Sequence, residues 1–248
     1  MSDTNKESWN KHAQRFFTED YLSLDDVDSD SFDYPTEKDL HIIGEVAGLR
    51  VLEIGAGSCN CGIALARKGA TVTCSDISQA QIDIGKRVAE KAGVDIALAC
   101  SDMTDLSFVN TGEMDLVISM SAISYVHDYN KVCAEVGRVL KQSGRFVFSV
   151  NHPFMMCVGA TELWPEEQAD SSYRYIGPVA FKWEQEDDFM FTTYRLRVSD
   201  YVNMLAANGM YITRMEELFS VTDDFEANEM AVRSRYPSVL VIAAVKNA

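Results

Sequence analysis

The stretch Val51-Leu-Glu-Ile-Gly-Ala-Gly-Ser-Cys-Asn-Cys-Gly62 reads as an apolar strand running into a glycine-rich turn that opens a helix. Glycine at 55 and 57 lets the backbone turn tightly and lets a ligand approach it closely. Asp76 ends the next strand, 21 residues beyond Gly55. That spacing suits a carboxylate accepting from both hydroxyls of a ribose, so an adenosine-containing ligand is expected. A dinucleotide turn of the form G-x-G-x-x-G would want glycine at residue 60, where this chain has Asn60. Glu53, just before the first glycine, disfavours a pyrophosphate and suits a cationic ligand.

Working outward, strands and helices alternate. Strand candidates are 50–54, 70–75, 96–101, 114–119 and 144–150, and helices fit at 61–68, 78–92 and 130–140, with a shorter one near 121–126. Near-continuous apolar strands separated by amphipathic helices predict a doubly wound, mostly parallel sheet covered on both faces. Ser78 is an expected N-cap and Gly93 a stop. After Val150 the alternation breaks into two strands, 173–183 and 189–198, joined by Glu184–Asp188. A helix over 199–208, capped by Ser199, then leads to strands 210–219 and 239–245. The last of these makes an antiparallel edge, for a seven-stranded Rossmann-like α/β sheet.

Residues 1–40 differ from the rest. Residues 8–17 fit a short amphipathic helix carrying Trp9 and Phe16, and the stretch 18–36 is acidic, with no Lys or Arg. The expected organisation is a helical and acidic lid at 1–40 and one domain over 41–248, with an acceptor-side insertion at about 154–198.

Composition narrows the function. The formal net charge of −16 repels a phosphate backbone, so nucleic acid is excluded as a partner and a small molecule favoured. No apolar run is long enough to span a membrane and the first residues are polar, so a soluble cytoplasmic protein, monomer or homodimer, is expected. The six cysteines sit mostly in apolar segments, which fits buried thiols in a reducing compartment. Cys59 and Cys61 are too closely spaced, and too lacking in partners, for a structural zinc site, so no metal is expected.

With these residues in view, the chain resembles the class I S-adenosylmethionine-dependent methyltransferases, small-molecule branch, from about residue 45 to 151. Val51–Gly57 is similar to the family's first motif, E/D-x-G-x-G, and the resemblance implies S-adenosylmethionine as cofactor, a phosphate-free cation beside Glu53. It implies that Gly55, Ala56 and Gly57 pack against the methionine part of the cofactor. Asp76 would hold the ribose, Ile77 would touch adenine, and Gln81 would join them. Asp102 would accept from the adenine amino group with Met103 alongside the ring. Ser119 and Met120 would lie near the transferred methyl.

On the acceptor side, His152 in Asn-His-Pro-Phe154 directly follows the fifth strand and is the expected general base, with His127 the second choice. Trp9, His152, Phe154, Tyr175, Trp183, Tyr194 and Arg195 are expected to line the acceptor site, Arg195 as a partner for a carboxylate. The expected activity is methyl transfer to a small molecule. An NAD-linked oxidoreductase and a non-catalytic cofactor-binding regulator stand as alternatives at this point.

Overall fold

The computed structural model describes residues 3–16, 37–158, 172–182, 190–219 and 236–247. In chain order these form α1 (Asp3–Phe16), α2 (Glu37–Leu40), β1 (Arg50–Ile54), α3 (Asn60–Arg67), β2 (Thr71–Asp76) and α4 (Gln79–Ala92). Next come β3 (Ala97–Cys100), β4 (Met114–Ser119), a 3₁₀ turn at Ile123–Tyr125, α5 (Tyr129–Val139) and β5 (Leu140–Asn151). The chain continues with α6 (Met155–Val158), β6 (Gly177–Lys182), β7 (Met190–Arg195), α7 (Val198–Ala207), β8 (Met210–Leu218) and β9 (Val239–Lys246). The acidic stretch 18–36, Trp183 and the 184–188 connector lie outside the described residues.

Seven strands make one sheet in the order β3-β2-β1-β4-β5-β9-β8, and β6–β7 make a separate antiparallel hairpin within the stretch expected as an insertion. Strands β1 to β5 pair in parallel, while β9 runs antiparallel to both β5 and β8. A side-chain period of two sends alternate residues to opposite faces, and both faces are covered. Val51, Val147 and Val241 enter one apolar core beneath α3 and α4, whereas Leu52, Phe146, Phe148 and Ile242 enter the other beneath α5 and α7. Strand order reverses between β1 and β4, so a crevice forms where the carboxyl ends of those strands separate.

Local chemistry fixes most boundaries where the sequence places them. Ser78 Oγ accepts the Gln81 N–H at 3.2 Å, and Gly93 ends α4 at φ 69°. Some expectations fail. The cap of α7 is Arg197, whose N–H donates to Asp200 Oδ2 at 2.8 Å, so an acid one turn inside the helix does the work assigned to Ser199. Strand β5 starts at Leu140 because Leu140 pairs with Met114. Ser143 at φ 61° then absorbs the irregularity before Arg145 pairs with Leu116. The hairpin strands are shorter than their apolar stretches suggest.

Candidate functional site

The glycine loop follows β1 with Gly55 at φ 65° and Gly57 at φ 53°, conformations that favour glycine. A Cβ on Gly55 would stand 2.4 Å from the Ala122 Cβ and 2.8 Å from the Met103 Cε. Three loops therefore converge on Gly55, those after β1, β3 and β4. Met103 is buried there, and Ile77 is half-buried beside Asp76.

Asp76, at the end of β2, receives the Gly57 N–H on Oδ2 at 2.9 Å and the Ser78 N–H on Oδ1 at 2.8 Å. Burial raises its pKa, and the backbone donors of Ser78, Gly57 and Ile77 pull the other way. A carboxylate offers about four lone-pair sites, so holding the loop leaves it able to accept from a ligand's hydroxyls. Opposite Gly57, Gln81 is buried with Oε1 unpartnered, 4.0 Å from where a Gly57 Cβ would be. An orphaned buried acceptor is costly unless something donates to it.

Three residues expected at the ligand make contacts within the scaffold. Glu53 is buried under the loop, where Oε2 accepts the Gly62 N–H at 2.8 Å and the Cys74 thiol at 3.4 Å. Burial lifts its pKa to about 7, against the opposing Gly62 and Cys74 hydrogen bonds and with a smaller push from Asp76. The residue at the N-cap of α3, Cys59 at φ 63°, makes no side-chain cap bond, so Glu53 supplies the acceptor that the first turn of α3 lacks. Ser119 is likewise internal, its hydroxyl donating to the Ile54 carbonyl at 2.9 Å and tying β4 to β1. Asp102 Oδ1 takes both the N–H and the hydroxyl of Thr104, each at 2.9 Å, which shapes the turn after β3.

The sequence reading missed Gly62 and Gly85. A Cβ on Gly62 would stand 2.3 Å from the Cys74 Sγ and 2.7 Å from the Glu53 Oε2, so Gly62 gives α3 its close approach to the sheet. A Cβ on Gly85 would meet the Cys59 Sγ at 2.5 Å, so a small residue on α4 makes room for cysteine at 59. The signal was present as Gly62 one turn into a helix that begins at a glycine loop.

Beyond the ends of β4 and β5 a small cleft is lined by Ser124, Asn151, Pro153, Thr193, Tyr194 and Arg195, among others. Of the expected acceptor residues it gathers Tyr194 and Arg195. Tyr175 backs Arg195, whose guanidinium lies 5.6 Å from that ring's centre. Phe154 is exposed beside Tyr173 and Tyr236, away from the cleft lining. Trp9 packs instead with Tyr125 and Phe191 in an aromatic cluster, at 5.3 and 4.6 Å between ring centres. His127 is exposed and meets Tyr194 edge-on at 5.2 Å.

His152 is not poised as a base. Its Nδ1 accepts the Phe154 N–H at 3.1 Å, and Nε2 lies 2.9 Å from Glu217 Oε1. The backbone donor requires an unprotonated Nδ1, so Nε2 carries the hydrogen and donates to Glu217. Burial lowers the ring's pKa, partly offset by Glu217. Both nitrogens are occupied in holding the turn after β5.

Helix α1 bridges the two sides. Asn10 Oδ1 accepts from Ser78 Oγ at 2.8 Å and from the Ala80 N–H at 3.2 Å, next to Asp76. Asn5 pairs with the Thr192 backbone of β7. Among the described residues no helix is long and apolar enough to cross a membrane, and no cluster of His, Cys, Asp and Glu is placed to hold a metal.

Residues 51–144 match the family model described as a methyltransferase domain. Over this stretch the chain is similar to methyltransferase domains. It is 32% identical over 135 residues to an uncharacterized methyltransferase of Bacillus subtilis, covering 54% of this chain and 52% of that one. It is 30% identical over 129 residues to a ubiquinone biosynthesis O-methyltransferase of Coxiella burnetii, covering 47% of this chain and 55% of that protein. The chain thus spans about half the length of the curated relatives it matches. An S-adenosylmethionine-dependent methyltransferase structure from Mesorhizobium loti superposes with a TM-score of 0.66 at 24% identity, covering 84% of this chain and 95% of that one. Another from Clostridium acetobutylicum gives 0.61 at 14% identity, with 98% and 97% covered. The seven-stranded fold is the one these S-adenosylmethionine-dependent methyltransferase structures have. The antiparallel β9 between β5 and β8 sets this sheet apart from the dinucleotide-binding sheet order 3-2-1-4-5-6. The oxidoreductase alternative is disfavoured on that ground, whereas Glu53, whose carboxyl faces α3, does not discriminate between the two ligands.

Proposed function

We propose that this protein transfers a methyl group from S-adenosylmethionine to a small-molecule acceptor by in-line displacement. The observation that carries the reading is the cradle at Gly55–Gly57, flanked by Asp76 and by the orphaned Gln81 Oε1, with a cleft beyond the adjacent strand ends. When bound, the cofactor supplies a methyl carbon on a sulfonium. The chain's own residues bind, align and exclude water. Asp76 and Gln81 take the ribose side, Ile77 and Asp102 with Met103 the adenine side, and Gly55, Ala56, Gly57 and Met120 the methionine side. Alignment alone can remove on the order of 7–11 kcal/mol from such a barrier. With His152 occupied, His127 beside the cleft is the histidine placed to take a proton from an acceptor that must lose one.

Residues 1–40 are the closing segment in this reading, since α1 grips both the loop after Asp76 and the hairpin, and about 154–198 form the acceptor side. Relatives named for ubiquinone biosynthesis O-methyl transfer support a small acceptor. Calorimetry tests the donor: S-adenosylhomocysteine should bind and NAD should not. Binding of NAD alone would overturn the reading. Labelled donor incubated with a metabolite extract should yield a labelled small molecule.

A further inference from the structure

We propose that Asn10 of α1 is a further cofactor-binding residue whose amide nitrogen donates to a ribose hydroxyl beside Asp76; this rests on the methyl-transfer reading above. The docked side of α1 is not an apolar stripe. Asn5 and Ser8 are buried on it beside Ala13, where a helix packed for stability alone would carry apolar residues. Asn5 Nδ2 donates to the Thr192 carbonyl at 2.9 Å, and Asn5 Oδ1 accepts the Thr192 N–H at 2.8 Å. Ser8 Oγ donates to the Met190 carbonyl at 2.6 Å. Among the described residues β7 pairs with β6 alone, so these side chains satisfy backbone groups along its other edge.

Farther along α1, Asn10 meets the start of α4. One branch of its amide faces the Ala80 N–H at 3.2 Å and the Ser78 hydroxyl at 2.8 Å. A backbone N–H can only donate, so that branch is Oδ1 and the two N–H groups of Nδ2 lie on the other. Asn10 is half-buried, and among the described residues no side chain or carbonyl accepts from Nδ2. The same Ser78 accepts the Gln81 N–H on Oγ at 3.2 Å and donates its own N–H to Asp76 Oδ1 at 2.8 Å. Asn10, Asp76 and Gln81 therefore share one junction.

That junction is rich in acceptors. Asp76 offers a carboxylate, and Gln81, 4% exposed, offers an Oε1 to which nothing donates. A hydroxyl both donates and accepts, whereas an ionised carboxylate only accepts. Ribose hydroxyls donating into Asp76 and Gln81 still need a donor for their own oxygens. Asn10 carries that donor, on an element outside the sheet. A helix docked by polar contacts also releases readily, because each of its bonds is exchanged for one to water and has a small net worth. One further bond, made only with the cofactor in place, therefore shifts α1 toward its docked position across the donor site.

The test titrates the full chain with S-adenosylhomocysteine and with its 2′-deoxy and 3′-deoxy forms by calorimetry. Asn10→Ala should weaken S-adenosylhomocysteine about three- to tenfold. The same substitution should weaken one of the two deoxy forms by less than about twofold, because the hydroxyl it served is already gone. Equal weakening of all three ligands would reduce Asn10 to a docking contact, and no weakening would remove it from the site; either result overturns the proposal. Should Asn10→Ala fail to fold, hydrogen exchange in the unaltered protein decides. The amides of α1 should be slowed more by S-adenosylhomocysteine than by one of the deoxy forms, and equal slowing by all three, or none, counts against Asn10. Failure of S-adenosylhomocysteine to bind at all would strike the methyl-transfer reading itself, whereas its binding without that coupling strikes only the role of Asn10.

Discussion

His152 and Glu217 are joined side chain to side chain at 2.9 Å, linking the turn after β5 to β8. Because Nδ1 must accept from Phe154, protonating the ring breaks that turn. The ring's pKa is lowered in the fold by burial, so its contribution to stability is fully present above about 6.5 and is lost as pH falls through the lower folded value. Glu217 opposes the lowering, so Glu217→Gln should move this loss to more acidic pH. His152→Ala should cost about 1–3 kcal/mol by stranding the Phe154 N–H. Its effect on turnover should fall short of the ~10²–10⁴-fold expected of a general base. Urea denaturation across a pH series and single-turnover rates measure both.

Asp76→Asn tests the donor side. The amide keeps the size of the side chain but loses the charge that accepts from Gly57, Ser78 and ribose hydroxyls. Charge-assisted bonds are worth about 1.5–3 kcal/mol each, so the Kd for S-adenosylhomocysteine should rise roughly 10- to 100-fold. Calorimetry reads it directly, and an unchanged Kd would remove Asp76 from the ribose.

The sheet was legible from the sequence because its strands are buried on both faces and its helices carry ordinary caps, as at Ser78 and Gly93. The loop at Gly55 and the carboxylate at Asp76 were legible because their chemistry depends on backbone conformation and spacing. Glu53 was misread because position beside a loop does not say on which side of the strand a carboxyl emerges; it emerges toward Gly62. His152 was misread for a related reason. Its position after β5 was right, but Glu217 reaches it from 65 residues away, a pairing that no local pattern encodes. Gly62 and Gly85 went unseen because their role is to leave space for Cys74 and Cys59, partners set only by tertiary packing.

Gly62→Ala tests that packing. The new methyl would press on the Cys74 Sγ and the Glu53 Oε2, and overpacking of this kind costs about 1–3 kcal/mol. Adding Cys74→Ala removes the nearer obstacle and should restore part of the loss. Denaturant midpoints of the single and double variants read the coupling, and simple additivity would show that the two side chains do not share the space.

Glu53→Gln separates the scaffold role from a charge role. The folded carboxyl holds its proton up to about pH 7, whereas an unfolded one releases it near its ordinary value of 4.5. The folded state therefore binds more protons across that window, and stability falls as pH rises through it. At ~1.4 kcal/mol for each tenfold in proton affinity, the loss above pH 7 is on the order of 3 kcal/mol. Glutamine keeps an oxygen for the Gly62 N–H without the cost of burying a charge. The variant should match the parent near pH 4.5, exceed it in stability at pH 8, and lose the slope between. A loss of stability at pH 8 would instead mean that the charged carboxylate holds the start of α3 more firmly than burial penalises it.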